Sequence, residues 1–178
     1  EDREKRALYE KGRTLLLGAG YHDIGMDHFS LKADSLYKAS IDGCLHRNFM
    51  GYTHQYTQLS IGLGVSSISD SWYAFAQNIK SVEMYLQEIS VGRFPLVKGH
   101  ILTDEDLLIR KYILDIMCKG ITKLNFNHPL FRDFMSRLLP LEKDGLVHIQ
   151  GEWLRVSETG RSFLRNICMC FDQKLWTK

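Results

Sequence analysis

The stretch LEKDGLVHIQGEWLRVSETG, residues 141–160, constrains the fold more than any other part of this chain. Apolar and polar residues alternate on both sides of residues 150–151, which is typical of two strands joined by a tight turn. A helix that opens at Pro129 and is broken or kinked at Pro140 precedes the hairpin, and a helix over residues 160–171 follows it. The last third of the chain therefore has the outline of a winged helix.

Another well-marked helix lies just before this region. Thr103 followed by Asp106 is a capping-box pattern, and Gly120 is a typical helix end. Leucine, isoleucine and methionine occupy most faces of the segment between them, which predicts a buried helix. We place a domain boundary near residue 100, and we expect residues 1–100 and 101–178 to pack together because no flexible linker separates them.

Helical and extended patterns alternate in the first hundred residues. We predict helices over residues 1–19, over 33–43 with Asp34 or Ser35 near its cap, and over 81–90; we predict extended segments over 21–29, 59–69 and 94–102. A helix followed by a short buried strand is typical of α/β architecture. The predicted fold class is therefore α/β in the first part, joined to an α+β second part.

Composition excludes several classes of function. The 23 basic and 21 acidic side chains are too balanced to predict a polyanion partner, so we do not expect a nucleic-acid ligand. No apolar run approaches the roughly 20 residues that cross a membrane. The first residues, EDREKR, do not resemble a secretory signal, and the absence of an initiator Met indicates a segment of a longer protein. We expect a cytoplasmic protein with four reduced cysteines.

Two stretches contain candidate pocket residues. LHRNFMGYT, residues 45–53, concentrates large polar and aromatic side chains in a predicted loop. The segment is either a surface loop that happens to contain many large side chains or the wall of a pocket. Asp27 and His28 end a predicted strand, and the carboxyl ends of parallel strands face active sites. They are either polar pocket groups, or a turn-forming Asp and a His on the rim. The histidines lack metal-ligand spacing, so we predict no metal site, and no serine-nucleophile or P-loop motif occurs.

Five motifs in order carry a resemblance to a known family. They are IGMDHF at 24–29, LHRNFMGYT at 45–53, GLGVSSIS at 62–69, KDGLV at 143–147 and RNICMCFD at 165–172. Together they resemble the C-terminal part of oxygen-independent coproporphyrinogen III oxidase (coproporphyrinogen dehydrogenase), a radical S-adenosylmethionine enzyme. The similarity is collinear over essentially the whole chain.

The resemblance implies the last segment of an incomplete (β/α) radical-SAM barrel over residues 1–100, followed by a winged-helix-like domain over 101–178. In this family a [4Fe–4S] cluster on a CxxxCxxC loop and S-adenosylmethionine convert two propionates of coproporphyrinogen III to vinyls, giving protoporphyrinogen IX in haem biosynthesis. The four cysteines here cannot form that loop. We therefore expect the cluster in an upstream barrel half, no catalytic residue in this chain, and no activity from the chain alone.

The resemblance also implies a second S-adenosylmethionine, contacted by Phe49 and Ile68. Around it we predict a pocket wall of Asp27, His28, Arg47 and Tyr52, in which Arg47 suits a carboxylate of substrate or cofactor. Two alternatives remain open at this point. One is a haem-chaperone relative of the same superfamily, and the other is a winged-helix module that binds nucleic acid or protein.

Overall fold

The computed structural model describes residues 2–176. The predicted first helix is confirmed as α1 (Asp2–Gly18), which lies against β1 (Tyr21–Gly25). The single strand predicted over 21–29 is wrong, because β1 turns back into the antiparallel β2 (His28–Leu31). Met26 and Asp27 form the turn with φ of 42° and 65°, and positive φ at both central positions favours a tight hairpin.

The predicted second helix is confirmed as α2 (Ser35–Ile41), with the Asp34 carboxylate accepting a hydrogen bond from the Leu36 amide at 2.7 Å. Residues 45–53 form a hairpin of β3 (His46–Asn48) and β4 (Gly51–Thr53), so the predicted loop is wrong. The Asn48 side chain accepts a hydrogen bond from the Met50 amide at 2.9 Å, which closes the two-residue turn locally.

A four-stranded antiparallel sheet follows, in the order of the chain. Its strands are β5 (Leu59–Ser60), β6 (Ile68–Ser71), β7 (Ala74–Asn78) and β8 (Leu96–Ile101), and α3 (Val82–Ser90) connects the last two. The continuous strand predicted over 59–69 is wrong, because the chain leaves the sheet between Ser60 and Ile68. The Asn78 amide holds that loop by donating to the carbonyls of Gly62 and Gly64 at 3.0 and 2.8 Å.

The second part keeps the predicted order of two helices, a hairpin and a helix, but it adds a short strand before the second helix and a short helix at the end. It contains α4 (Asp104–Lys119), β9 (Ile121–Lys123), α5 (Phe131–Lys143), β10 (Val147–Gln150), β11 (Trp153–Val156), a 3-10 helix (Thr159–Phe163), α6 (Leu164–Met169) and α7 (Gln173–Trp176). The single helix predicted over 160–171 is divided into a 3-10 helix and an α-helix. The capping box of α4 and the hairpin of β10 and β11 are confirmed, and β11 also pairs with β9. The helix α5 continues through Pro140 in its last turn, so the predicted break does not occur, and the alternative of a kink stays a prediction.

Burial is concentrated in the second part of the chain. Its core is built from α4, α5, α6 and the three-stranded sheet, and its fully buried members include Tyr112, Ile116, Phe134, Leu138, Val147, Leu154, Ile167 and Phe171. Cys168 and Cys170 lie in the same core, where sulfur fills space between larger side chains. Only two residues of α4 are buried, so the helix predicted to be buried presents a face to a cleft instead.

Every pair of strands between residues 2 and 176 is antiparallel. The chain therefore mixes helices and sheets as predicted, but Asp27 and His28 do not lie at the end of a parallel strand. A smaller core of Ile24, Ala39, Leu45 and Tyr52 joins the first two hairpins to α2. In the described part of the chain, no helix combines the length and the apolar composition that crossing a bilayer requires.

Candidate functional site

The structure brings Phe49 and Ile68 together. Both line a cleft of about 450 Å³ between the tip of the β3–β4 hairpin and the loop that joins β5 to β6. Phe49 is 55% exposed, and its ring packs edge-to-face against Phe75 at 5.0 Å between centroids. The volume is within the range of small-molecule sites, and an apolar residue beside an anchored ring suits an adenine or a methionyl chain.

A second cleft of about 830 Å³ lies between the same hairpin and α4. Phe49 lines this cleft as well, with Arg47 from the hairpin and an apolar wall of Ile109, Ile113 and Met117 from α4. The half-exposed face of α4 is therefore the wall of a cavity. Phe49 stands where the two clefts meet, so ligands in both would contact it.

Tyr52 supports Arg47 from the neighbouring strand. The two residues are direct cross-strand partners, and the Arg47 guanidinium lies 4.7 Å from the centre of the Tyr52 ring. The Tyr52 hydroxyl donates to the Met117 carbonyl at 2.9 Å, and burial raises its pKa far above the ordinary value for tyrosine. Tyr52 is thus a neutral, fixed platform with 9% of its surface exposed.

His28 and Asp27 lie apart from the Phe49 clefts. The His28 ring packs edge-to-face on Tyr52 at 5.0 Å, and its Nδ1 donates to the Met26 carbonyl at 2.8 Å. Asp27 is in the turn between β1 and β2 and lines a separate cleft of about 210 Å³ with Tyr9 and Arg161. His28 therefore packs against Tyr52 of the β3–β4 hairpin without lining either Phe49 cleft, and Asp27 is not brought together with Ile68.

The sequence did not predict a buried ion pair that lines the cleft between the β3–β4 hairpin and α4. Arg110 donates to the Asp70 carboxylate at 2.9 Å and to the carbonyls of Ser71 and Trp72 at 3.0 and 3.2 Å. Its guanidinium also lies 4.7 and 5.0 Å from the rings of Trp72 and Phe75. An arginine in the apolar run LLIRKYIL was a signal, but nothing local identifies a partner 40 residues away.

A third cleft, of about 1000 Å³, was also not predicted. His46, Tyr56 and Trp72 form a series of edge-to-face rings along it, with centroids 5.0 and 5.8 Å apart. Burial, and then the nearby Arg110 charge, lower the pKa of His46, which favours a neutral ring. Between residues 2 and 176 no three His, Cys, Asp or Glu side chains are placed to hold a metal.

The four cysteines are free, and their environments predict very different reactivities. Cys44 is exposed, whereas burial raises the pKa of Cys118 and Cys170 to about 11 and that of Cys168 to about 12. Because the thiolate is the reactive form, we expect iodoacetamide at pH 8 to label Cys44 first in the native protein. Peptide mass mapping measures the order of labelling. Cys44→Ser should abolish the fast phase, and rapid labelling of Cys118 would contradict the described packing.

No family model matches the sequence. Curated relatives named oxygen-independent coproporphyrinogen III oxidase match almost all of it: 37% identity over 185 residues in Salmonella typhimurium, 38% over 184 in Escherichia coli K12 and 40% over 183 in Thermostichus vulcanus. Each match covers 98% of this chain. The chain spans 40% of the length of the first two relatives and 56% of the third.

A solved structure agrees with these matches. The coproporphyrinogen III oxidase from Escherichia coli, described as a radical SAM enzyme, superimposes with a TM-score of 0.90 at 36% identity, over 98% of this chain and 42% of that one. The resemblance carried by the five motifs is thus confirmed. By sequence and by backbone, this chain is similar to a segment of the oxygen-independent coproporphyrinogen III oxidases.

Proposed function

We propose that the longer protein containing this chain is an oxygen-independent coproporphyrinogen III oxidase, and that residues 1–178 form its C-terminal part. The observation that carries the proposal is the agreement of backbone and sequence over 98% of the chain with a radical SAM coproporphyrinogen III oxidase. In the proposed reaction each of two propionates gives one hydrogen atom to the group that S-adenosylmethionine supplies and one electron to an external acceptor. It also loses CO₂, which leaves a vinyl group. The substrate is coproporphyrinogen III, and the protein works in the cytoplasm.

An iron–sulfur cluster does not fit the residues of this chain. The sequence has no CxxxCxxC, and Cys168 and Cys170 are buried in the core of the second part. We therefore place the cluster in the upstream part of the longer protein. That part would complete a barrel with residues 1–100, while residues 101–178 form a winged-helix-like domain. The succession of α4, β9, α5 and the β10–β11 hairpin supports this description.

The second S-adenosylmethionine fits the cleft shared by Phe49 and Ile68 better. That cleft combines an anchored ring and an aliphatic side chain with the backbone of a glycine-containing loop. In this proposal Phe49 and Ile68 hold the apolar parts of the cofactor, and the loop between β5 and β6 closes around it. Bound S-adenosylmethionine supplies the group that abstracts hydrogen from the substrate.

The test is anaerobic reconstitution of the longer protein with iron and sulfide, followed by measurement of CO₂ released from coproporphyrinogen III. We expect release that requires S-adenosylmethionine and yields protoporphyrinogen IX. A reconstituted protein that binds haem with a Soret band but releases no CO₂ would instead belong to the haem-chaperone branch. The 178-residue chain alone should release none.

Phe49 gives a residue-level prediction. Loss of an aromatic contact is worth about 0.5–1.5 kcal/mol beyond the buried area, so Phe49→Ala should lower kcat/KM for S-adenosylmethionine by roughly tenfold. Phe94→Ala is the matched control, because Phe94 is 88% exposed and lines none of the clefts described above. Equal kcat/KM values for S-adenosylmethionine in the two variants would show that Phe49 does not contact the cofactor.

A further inference from the structure

Two arginines line the cleft between the β3–β4 hairpin and α4, and their surroundings differ. Arg110 is fully engaged by Asp70 and by two carbonyls. The Arg47 side chain forms no hydrogen bond or ion pair with any residue between 2 and 176, and its Nη1 is shielded from solvent without an acceptor. A guanidinium cannot release its proton, so a shielded donor without an acceptor has a real energetic cost.

The position of Arg47 is fixed by its neighbours. Its cross-strand partner Tyr52 offers a ring face 4.7 Å away, and the Tyr52 hydroxyl is tied to Met117 of α4 at 2.9 Å. The side chain is therefore held in place before any ligand arrives, which reduces the entropy lost on binding. A preorganised cation that lacks an acceptor and lines a cleft is suited to an anion.

The acidic side chains of the cleft do not supply that anion. Asp70 pairs with Arg110, and Asp106 accepts hydrogen bonds from Thr103 and lies 3.0 Å from the His100 ring. Glu105 and Asp172 also line the cleft, and neither pairs with Arg47. Lys174 lines the cleft as well, so an anionic ligand is favoured near Arg47 and Lys174 and disfavoured beside these carboxylates.

We propose that Arg47 binds a propionate carboxylate of the tetrapyrrole substrate in this cleft. The inference rests on the proposed function, which supplies a substrate with propionate side chains. A carboxylate on a short apolar stem matches the setting, because Phe49, Ile113 and Met117 line the same cavity and the guanidinium fork fits a carboxylate. Arg47 does not line the cleft shared by Phe49 and Ile68, so its anion is the substrate's rather than the cofactor's.

In this arrangement Phe49 separates two sites. Its ring, anchored on Phe75, lies at the boundary between the cofactor cleft and the substrate cleft. The carboxylate held by Arg47 belongs to a substrate whose reacting side chain points past Phe49 towards the cofactor. Arg47 therefore sets substrate affinity, while Phe49 contacts both ligands.

The experiment measures binding of coproporphyrin III, the fluorescent oxidised form of the substrate, to the longer protein without turnover. A charge-assisted hydrogen bond is worth about 1.5–3 kcal/mol, so Arg47→Gln should weaken binding roughly 10- to 150-fold. The tetramethyl ester, which lacks carboxylates, should bind both proteins equally weakly. Arg93→Gln is the matched control, because Arg93 is exposed, pairs with Glu88 and lines none of the clefts described above.

Each outcome separates this inference from the proposed function. Unchanged affinity in Arg47→Gln, with a lower unfolding temperature, would mean that Arg47 pairs with a carboxylate elsewhere in the longer protein, and the inference fails. The function fails on its own if the wild type releases no CO₂ yet binds coproporphyrin III through Arg47. If Arg47→Gln does not fold, Arg47→Lys is the test, because lysine keeps the positive charge but lacks the planar guanidinium. Its affinity for coproporphyrin III should fall by roughly threefold or more, and full affinity would overturn the proposal.

Discussion

Replacing Arg110 with methionine is expected to lower the free energy of unfolding by about 3–5 kcal/mol, because it leaves a buried carboxylate without its partner. The Arg110 and Asp70 side chains are only 12% and 11% exposed, so water cannot replace the lost contacts. The variant also loses the bonds to the carbonyls of Ser71 and Trp72 and the cation over two rings. Urea unfolding of the 178-residue chain measures the loss.

A double variant distinguishes an unpaired charge from lost packing. Asp70→Leu combined with Arg110→Met removes both charges and retains apolar volume, so it should recover most of the lost free energy. Arg93→Met is the control for removing an arginine from an exposed pair with Glu88, and it should leave the unfolding midpoint nearly unchanged. If Arg110→Met unfolds at the same urea concentration as Arg93→Met, the pair has no structural role.

The ion pair also shows why the sequence predicted helices better than the site. Helix ends are determined by nearby residues. Asp34 caps α2, and Thr103 with Asp106 caps α4, and each capping side chain bonds a backbone amide no more than three residues away. Arg110 and Asp70 are 40 residues apart, and Tyr52 reaches Met117 across 65. Periodicity carries no information about such contacts, so the Arg110–Asp70 pair and the α4 wall of the second cleft could not be predicted. Arg47 itself was predicted as a pocket-wall residue.

The hairpins of the first part were not predicted, for a different reason. Positive φ at Met26 and Asp27 makes the first turn, although non-glycine residues rarely adopt it. A strand pattern that runs through such a turn looks continuous, as 21–29 did. The pairing of Phe49 with Ile68 was reached through resemblance alone, because the pattern over residues 59–69 predicted one continuous strand and did not reveal the loop between β5 and β6.

Gly160 provides the second large stability effect. A Cβ atom at this position would lie 1.9 Å from the carbonyl oxygen of Leu146 and 2.9 Å from its carbon. Backbone atoms cannot move aside by changing rotamer, and the Leu146 carbonyl already accepts a hydrogen bond from the Ser157 amide at 3.0 Å. Gly160→Ala must therefore displace the 3-10 helix from the hairpin, and we expect a loss of at least about 3 kcal/mol.

Thermal unfolding tests this expectation against a matched glycine. For a chain of this length a loss of about 3 kcal/mol lowers Tm by roughly 6–12 °C. Gly12→Ala introduces the same methyl group into α1, where no atom lies within 4 Å, and should stabilise the helix by up to about 1 kcal/mol. The two substitutions therefore have opposite signs. If Gly160→Ala melts within 2 °C of the wild type, roughly 1 kcal/mol or less, the 3-10 helix can leave Leu146 at little cost. It would then not hold Leu164 and Ile167 in the core.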